Sequence, residues 1–271
     1  MINEANNKIL IRGLEVDACH GVLAEEKRNR QTFIFDADLY TDFYPAAKND
    51  DLNATVNYAK ACDILVETAT KKSYNLIETL AYSGVYALLE GLNLKKVSLT
   101  VYKPQAPIGH KFGTVGVTAV AEKERVLLSL GASVGDRKNY FDMALKMLSQ
   151  TRGISLKKVS SYIETEPYGG VAKNGFLNCA VEIETYFTPR QLLEEIHRIE
   201  AACGRVRTVH WGDRTLDIDI IFFGRKVVEE DDLQIPHPEY FKRAFVLEPL
   251  KEIAPDFVCP VLHKKVKDLQ I

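Results

Sequence analysis

The chain has no dominant charge: 35 Lys and Arg against 37 Asp and Glu leave a formal net charge of −2 over 271 residues. Such a balance gives no footprint for nucleic acid or an anionic lipid surface, so any phosphate binding must be local. There is no CxxC pair among the five widely spaced cysteines, Cys19, Cys62, Cys179, Cys203 and Cys259. That pattern argues against a zinc ribbon or a disulfide scaffold and predicts a reduced, cytoplasmic protein. No run of about 18 consecutive apolar residues occurs, and the opening MINEANNKILIRG has no basic segment leading into an apolar one. The expectation is a protein that is neither secreted nor membrane-spanning and has no nucleic-acid partner. Internal repeats and low-complexity segments are absent too.

What is present is apolar material, at 46% hydrophobic against 27% charged residues. The length is about twice a common domain of roughly 100–150 residues, so two cores are expected. A boundary near residue 122 predicts domains at 1–122 and 123–271. In the first, residues 8–17 and 32–41 alternate as strands, and residues 57–71 and 75–89 place apolar side chains at i, i+3 and i+4 as helices. Gly91 stands where the second helix would stop, and two further strands at 97–103 and 114–122 complete a ββααββ order.

In the second half, RVLLSLGASVGD reads as a buried strand running into a loop, followed by a helix over residues 140–149. KKVSSYIETEPYG and FLNCAVEIETY read as strands, and Thr188 with Pro189 opens a helix running through Ile199. LDIDIIFFG is a buried strand and AFVLEPLKEIA a last helix. The densest chemistry is GRVRTVHWGDRTLDIDI, residues 204–220. On a strand, Asp217 and Asp219 point to one face while Leu216, Ile218 and Ile220 enter the core. Two adjacent carboxylates repel each other. Mg²⁺, which takes oxygen ligands from one or two carboxylates plus substrate phosphates, would neutralise them. Arg205, Arg207 and Arg214 lie close enough in sequence to clamp polyphosphate oxygens. The plain alternative is an edge strand with a solvated acidic face beside a surface basic patch.

The stretch GRVRxxxWGxRTLDIDI, followed by IPHPEYFKRAFVLEPLKEIAP, resembles 6-hydroxymethyl-7,8-dihydropterin pyrophosphokinase (HPPK), and the resemblance covers nearly all of residues 125–271. It implies a ferredoxin-like α/β fold and transfer of the β,γ-pyrophosphate of ATP to a pterin hydroxymethyl group, with AMP leaving. It further implies two Mg²⁺ ions held by Asp217 and Asp219, with Arg205, Arg207 and Arg214 on the phosphates. His197, Glu200, His237 and Arg243 fall at nucleotide-site positions. Phe176 and Phe245 would sandwich the pterin, whose edge Asn178 and the segment of Thr165, Pro167 and Tyr168 would read, while Trp211 would close the site. The chain departs from the family pattern at GASVGD (131–136), where GSNxGD is usual, and at Asp213, which replaces a common proline.

In the first half, HGVLAEE, NYAK, NLIE and KPxAPI together resemble dihydroneopterin aldolase, across roughly residues 8–122. Taken singly, Tyr58 reads first as an amphipathic helix residue, Glu78 as a solvated carboxylate and Lys103 as a surface lysine. The resemblance implies a tunnelling fold whose subunits form a homo-oligomeric ring, a tetramer or octamer, with sites between neighbours. The overall class is therefore α+β, a tunnelling-fold domain fused to a ferredoxin-like one. The implied reaction is retro-aldol cleavage of 7,8-dihydroneopterin to glycolaldehyde and 6-hydroxymethyl-7,8-dihydropterin. Glu78, with Ile77 beside it, would anchor the pterin, Lys103 would mediate deprotonation, Tyr58 would move the proton at the enol, and Glu26 is the loop glutamate. No cofactor is implied here, because the ring itself accepts the electrons released on cleavage. An epimerase acting through the same intermediate, or an N-terminal half that only oligomerises the kinase, are the other readings.

Overall fold

The protein is described here from a computed structural model covering residues 7–166, 174–205 and 214–270. It divides into two compact units, Met1–Lys123 and Glu124–Ile271.

The first unit runs β1 (Lys8–Ala18), α1 (Ala24–Arg28), β2 (Gln31–Tyr40), α2 (Tyr44–Asn49), α3 (Tyr58–Lys71), α4 (Ile77–Gly91), β3 (Lys96–Lys103) and β4 (Val115–Glu122). Its sheet has the order β1-β2-β3-β4, antiparallel throughout. Period-two alternation sends Phe33, Phe35, Ala37 and Leu39 of β2, with Val97, Leu99 and Val101 of β3, into the core. Leu65 of α3 and Leu80, Val85 and Leu88 of α4 are buried with them. The Asn57 carboxamide caps α3, accepting the Ala59 N–H at 2.9 Å, which makes Tyr58 the first helical residue. The ββααββ order matches the reading of the sequence. The short helices α1 and α2 do not appear in that reading, because AEEKR and YPAAKN carry too few residues for apolar periodicity.

The second unit runs β5 (Glu124–Ala132), α5 (Arg137–Gln150), β6 (Ile154–Val159), β7 (Ile163–Thr165), β8 (Phe176–Thr185), α6 (Pro189–Ala202), β9 (Asp217–Phe223), the hairpin β10 (Val228–Glu230) and β11 (Leu233–Ile235), and α7 (Ala244–Ile253). The main sheet has the order β6-β8-β5-β9 with antiparallel neighbours, and β7 adds to β8. Four strands and two helices in βαββαβ sequence with this order make the ferredoxin-like arrangement. Strands β5 and β8 are central and covered on both faces, so they read as apolar runs rather than alternating ones. Phe141, Leu148, Ile196 and Ile199 of α5 and α6 cover one face. Val246, Leu247 and Leu250 of α7 pack with Leu127, Ile221 and Phe222 on the other.

Helix α5 starts three residues earlier than the periodicity suggested, because Asp136 caps it by accepting the Asn139 N–H at 3.1 Å. Thr188 and Gln191 form a reciprocal cap at the start of α6, with Pro189 at its first position. Among the described residues no helix is long and apolar enough to cross a membrane.

Candidate active sites

In the second unit, strand register assembles a cavity from residues far apart in sequence. Gly131 of β5 pairs with Asn178 of β8 on one side and Asp217 of β9 on the other, and Ser129 pairs with Asp219. Directly opposite residues of antiparallel strands share a face, so these five form one wall. Thr165 pairs with Phe176 at the end of β7, and its hydroxyl accepts the Asn178 amide at 2.9 Å, which fixes the carboxamide of that buried side chain. Arg214, Arg243, Phe245 and Val246 close the cavity from the side of β9 and α7. Phe176 and Phe245 both line it, so aromatic rings and charged side chains share the lining.

The charged wall is densely coupled. Asp217 receives Arg205 at 2.5 Å on one oxygen and Arg214 on the other. Asp219 is pushed up from the ordinary aspartate range, first by burial and then by the charge of Asp217, with Arg243 and Arg214 working against the shift. Arg243 lies 5.9 Å over the Phe245 ring. Two carboxylates on one strand face, opening into a cavity with arginines around it, are a donor set that suits Mg²⁺, which keeps part of its shell for water and phosphate oxygens. Among the described residues no group of three or more His, Cys, Asp or Glu is placed to hold a metal ion, so within those residues the candidate donors are these two carboxylates.

Glu200 behaves differently from a surface nucleotide contact. It is 2% exposed, its Oε1 accepts the Ile218 N–H at 2.9 Å, and it is ion-paired with Arg205. The carboxylate thus holds the start of β9 and one arginine in place. His197, earlier on α6, is partly buried and does not line the cavity. The His237 N–H donates to the Ile221 carbonyl at 3.1 Å and its Nδ1 accepts the Glu239 N–H at 3.2 Å. Burial and then Arg243 lower its pKa, favouring a neutral ring. It lines a separate depression with Tyr240, Phe241, Val261 and Leu262. Pro167, Tyr168, Arg207, Trp211 and Asp213 lie outside the described residues.

Ser133, which stands at the departure in GASVGD, is buried, and its hydroxyl accepts the Arg214 N–H at 3.0 Å while its own N–H donates to the Arg214 carbonyl at 2.9 Å. The serine therefore anchors the backbone of a cavity arginine. Ser129 and Gly131 carry no role in the sequence reading, although stepping back by two along β5 would have placed them on the same face as Ser133. Val246 gave no signal.

In the first unit, the inward row Val97, Leu99, Val101 of β3 ends on Lys103, so the strand period carries a lysine to the core side. Lys103 is 7% exposed, ion-paired with Glu26, and donates to the His20 carbonyl at 3.2 Å. Burial pushes the Glu26 carboxyl up, but the Lys103 ammonium and the Leu23 N–H at 3.1 Å win, and its pKa is lowered. This singles out Glu26 rather than its neighbour Glu25. Gly21 has φ +145°, and a Cβ there would stand 2.2 Å from the Glu26 carboxylate, so only glycine admits that close approach. Glu78 is exposed in the first turn of α4, with Ile77 half-buried beside it. Tyr58 is 64% exposed at the start of α3. The structure thus unites the buried Lys103 with the half-buried Glu26 and sets Tyr58 and Glu78 on the surface at two helix starts. His20 and Gln31 join the lysine cluster, and only the His-Gly step signalled either of them.

The second unit is by fold and site a ferredoxin-like α+β domain with a carboxylate–arginine cavity walled by phenylalanines. Residues 127–255 match the family model for 7,8-dihydro-6-hydroxymethylpterin-pyrophosphokinase, and residues 9–120 match the one for dihydroneopterin aldolase. The chain belongs to the pyrophosphokinase family, and its first unit carries the stretch that the aldolase model matches. The 2-amino-4-hydroxy-6-hydroxymethyldihydropteridine pyrophosphokinase of Bacillus subtilis is 45% identical over 126 residues, 46% of this chain and 75% of that protein. The bifunctional protein FolKE of Lactococcus lactis subsp. cremoris is 43% identical over 126 residues, 46% of this chain and 36% of that protein. The folic acid synthesis protein fol1 of Pneumocystis carinii is 30% identical over 278 residues, spanning 96% of this chain and 37% of that protein. The chain thus spans little more than a third of the length of the last two.

Proposed function

We propose that the chain is a bifunctional folate-pathway enzyme. The first unit cleaves 7,8-dihydroneopterin to glycolaldehyde and 6-hydroxymethyl-7,8-dihydropterin, and the second transfers the pyrophosphoryl group of ATP to that product, releasing AMP. One observation carries the reading: strand register gathers Asp217, Asp219 and Asn178 onto one wall of a cavity that Phe176 and Phe245 also line. A flat pterin needs aromatic faces and an edge partner, and a polyphosphate needs cations, and this cavity has both kinds of wall.

In the second unit, Phe176 and Phe245 hold the ring between them, and the Asn178 carboxamide, oriented by Thr165, reads its edge, with Pro167 and Tyr168 completing that side. Asp217 and Asp219 would hold two Mg²⁺ ions, which when bound neutralise the ATP phosphates. Arg205, Arg207, Arg214 and Arg243 neutralise phosphate oxygens as the hydroxymethyl oxygen bonds to the β-phosphorus and the bond from that phosphorus to the oxygen leaving with AMP breaks. His197 and His237 contribute to the nucleotide side, Glu200 holds Arg205, and Trp211 closes the site.

In the first unit, Glu78 pairs with the N–H edge of the pterin beside Ile77. Lys103, held by Glu26, mediates removal of the side-chain hydroxyl proton, directly or through water. The carbon–carbon bond then breaks with its electrons entering the ring, glycolaldehyde departs, and Tyr58 serves proton transfer at the enol. The exposure of Tyr58 and Glu78, with Lys103 enclosed against Glu26, supports a site completed by a neighbouring subunit, in a tetramer or octamer. Five free thiols support a cytoplasmic location.

Incubation of the protein with dihydroneopterin, ATP and Mg²⁺, with glycolaldehyde and AMP assayed together, tests both halves. Formation of both products is expected. AMP formed only when 6-hydroxymethyl-7,8-dihydropterin is supplied would overturn the aldolase half, and no AMP even then would overturn the kinase half.

A further inference from the structure

We infer that His20 is a positioning residue of the first unit's site: it ties the Lys103–Glu26 pair to the loop that opens the Glu78 helix. The inference rests on the aldolase reading and adds to it a residue with no role so far.

His20 is 0% exposed and makes contacts in two directions. Toward β3, its carbonyl accepts the Lys103 ammonium at 3.2 Å and the Gln31 amide at 3.0 Å. Toward the α3–α4 loop, its Nδ1 accepts the Tyr74 N–H at 3.1 Å. Two neighbouring bonds reinforce that second link: the Gly21 N–H donates to the Tyr74 carbonyl at 2.9 Å, and the Ser73 hydroxyl donates to the Cys19 carbonyl at 2.5 Å. The loop continues directly into Ile77 and Glu78. The lysine end and the anchor end of the site are thereby joined through one side chain and its flanking backbone.

The ring is held from its faces and edges as well, with Phe33 edge-on at 5.0 Å and Tyr74 at 5.4 Å between centroids. Acceptance at Nδ1 puts the ring proton on Nε2. That nitrogen has no hydrogen-bond partner of normal geometry among the described residues, although the nearby Ala69 carbonyl of α3 favours its proton. Burial, and to a smaller extent Lys103, lower the histidine pKa, so the ring stays neutral beside the ammonium. An apolar residue would fill this volume without burying a poorly satisfied N–H. What a histidine adds is the acceptor aimed at Tyr74, and a donor-only or apolar side chain cannot supply it.

The test uses the full chain with His20→Ala and His20→Asn, whose Oδ1 can occupy the place of Nδ1. Glycolaldehyde release gives kcat and KM, trace labelling with acetic anhydride followed by peptide mass spectrometry reports how accessible Lys103 is, thermal unfolding followed by circular dichroism controls for folding of the first unit, and AMP release is the reference for the second. His20→Ala is expected to lower kcat for cleavage roughly tenfold, about 1.4 kcal/mol of barrier, and to raise Lys103 labelling severalfold with AMP release unchanged. His20→Asn is expected to restore both readouts toward wild type. Unchanged labelling and kcat in His20→Ala overturn the inference, and so does an Asn variant no better than the Ala one. If the alanine variant fails to fold, His20→Gln, which sets its acceptor at the other end of the ring, replaces it and must fall below Asn. If wild-type protein releases no glycolaldehyde, the aldolase reading fails, and the labelling contrast alone decides the positioning role.

Discussion

Glu200 accepts the Ile218 N–H at 2.9 Å while paired with Arg205, so one buried carboxylate on α6 sets both the start of the acidic strand and one of its arginines. Removing it leaves a buried backbone donor unpaired and takes from Arg205 one of its two carboxylate partners, Asp217 being the other. Glu200→Ala should therefore lower the unfolding free energy of the second unit by about 2 kcal/mol, measured by denaturant titration, and raise the KM for ATP. Glu200→Gln keeps an acceptor for Ile218 and should recover most of the stability. A Glu200→Ala protein as stable as wild type would show that the strand start is held elsewhere.

Asp219 carries a pH signature. Its folded pKa is raised, chiefly by burial and next by Asp217, so the folded state binds a proton that the unfolded state releases more easily. The sign follows: its contribution is present below the unfolded aspartate value and is lost as pH rises through the raised folded one. Mg²⁺ should offset that loss. The thermal stabilisation produced by millimolar Mg²⁺ is expected to grow with pH through the raised range, in step with metal affinity read by calorimetry. Asp219→Asn should remove this pH dependence and abolish AMP release, and near-normal turnover by that variant would refute the metal assignment.

Lys103 and Glu26 form the opposite case. Burial raises the Glu26 pKa, but the lysine overcomes it, leaving a net depression. The pair therefore stabilises the fold above the unfolded glutamate value, and that stability is lost as pH falls through the lowered one. Lys103→Met leaves the half-buried carboxylate without its cation and should cost about 1–2 kcal/mol near neutrality, with the Glu26 pKa moving up by NMR titration. Aldolase turnover should vanish in the same protein, and the double variant with Glu26→Gln should recover stability but not activity. A Glu26 pKa that stays low without the lysine would point to a different partner.

How far the sequence reveals the site depends on period and register. Asp217 and Asp219 are legible because spacing by two on an apolar strand has one geometric meaning, and the same rule carries Lys103 to the core side of β3. Legibility stops at pairing between strands: that Ser129 opposes Asp219, or Gly131 stands between Asn178 and Asp217, depends on how β5, β8 and β9 align. The inward turn of Glu200 is hidden for a related reason, since helical spacing puts it on the face shared with Ile196 and Ile199, where a carboxylate is unexpected until its backbone partner is known. The short helices α1 and α2 and the hairpin β10–β11 fall below the length at which periodicity can be read.

Phe176 and Phe245 offer the sharpest separation of pterin from ATP. Both rings line the cavity, one at the start of β8 and the other in the first turn of α7, and Phe245 also packs on the core beneath α7. An aromatic pair adds about 0.5–1.5 kcal/mol beyond the area it covers, so Phe176→Leu, which keeps most of the apolar volume, should raise the KM for 6-hydroxymethyl-7,8-dihydropterin by roughly fivefold to tenfold. The KM for ATP should stay within about twofold, because stacking on a ring leaves the arginine and carboxylate wall unchanged. Phe245→Leu should show the same selective loss with a further drop in stability, since its ring has a second role in packing. Steady-state kinetics with each substrate varied in turn reads both constants. Equal increases in the two KM values would mean that the phenylalanines shape the whole cavity rather than sandwich the pterin.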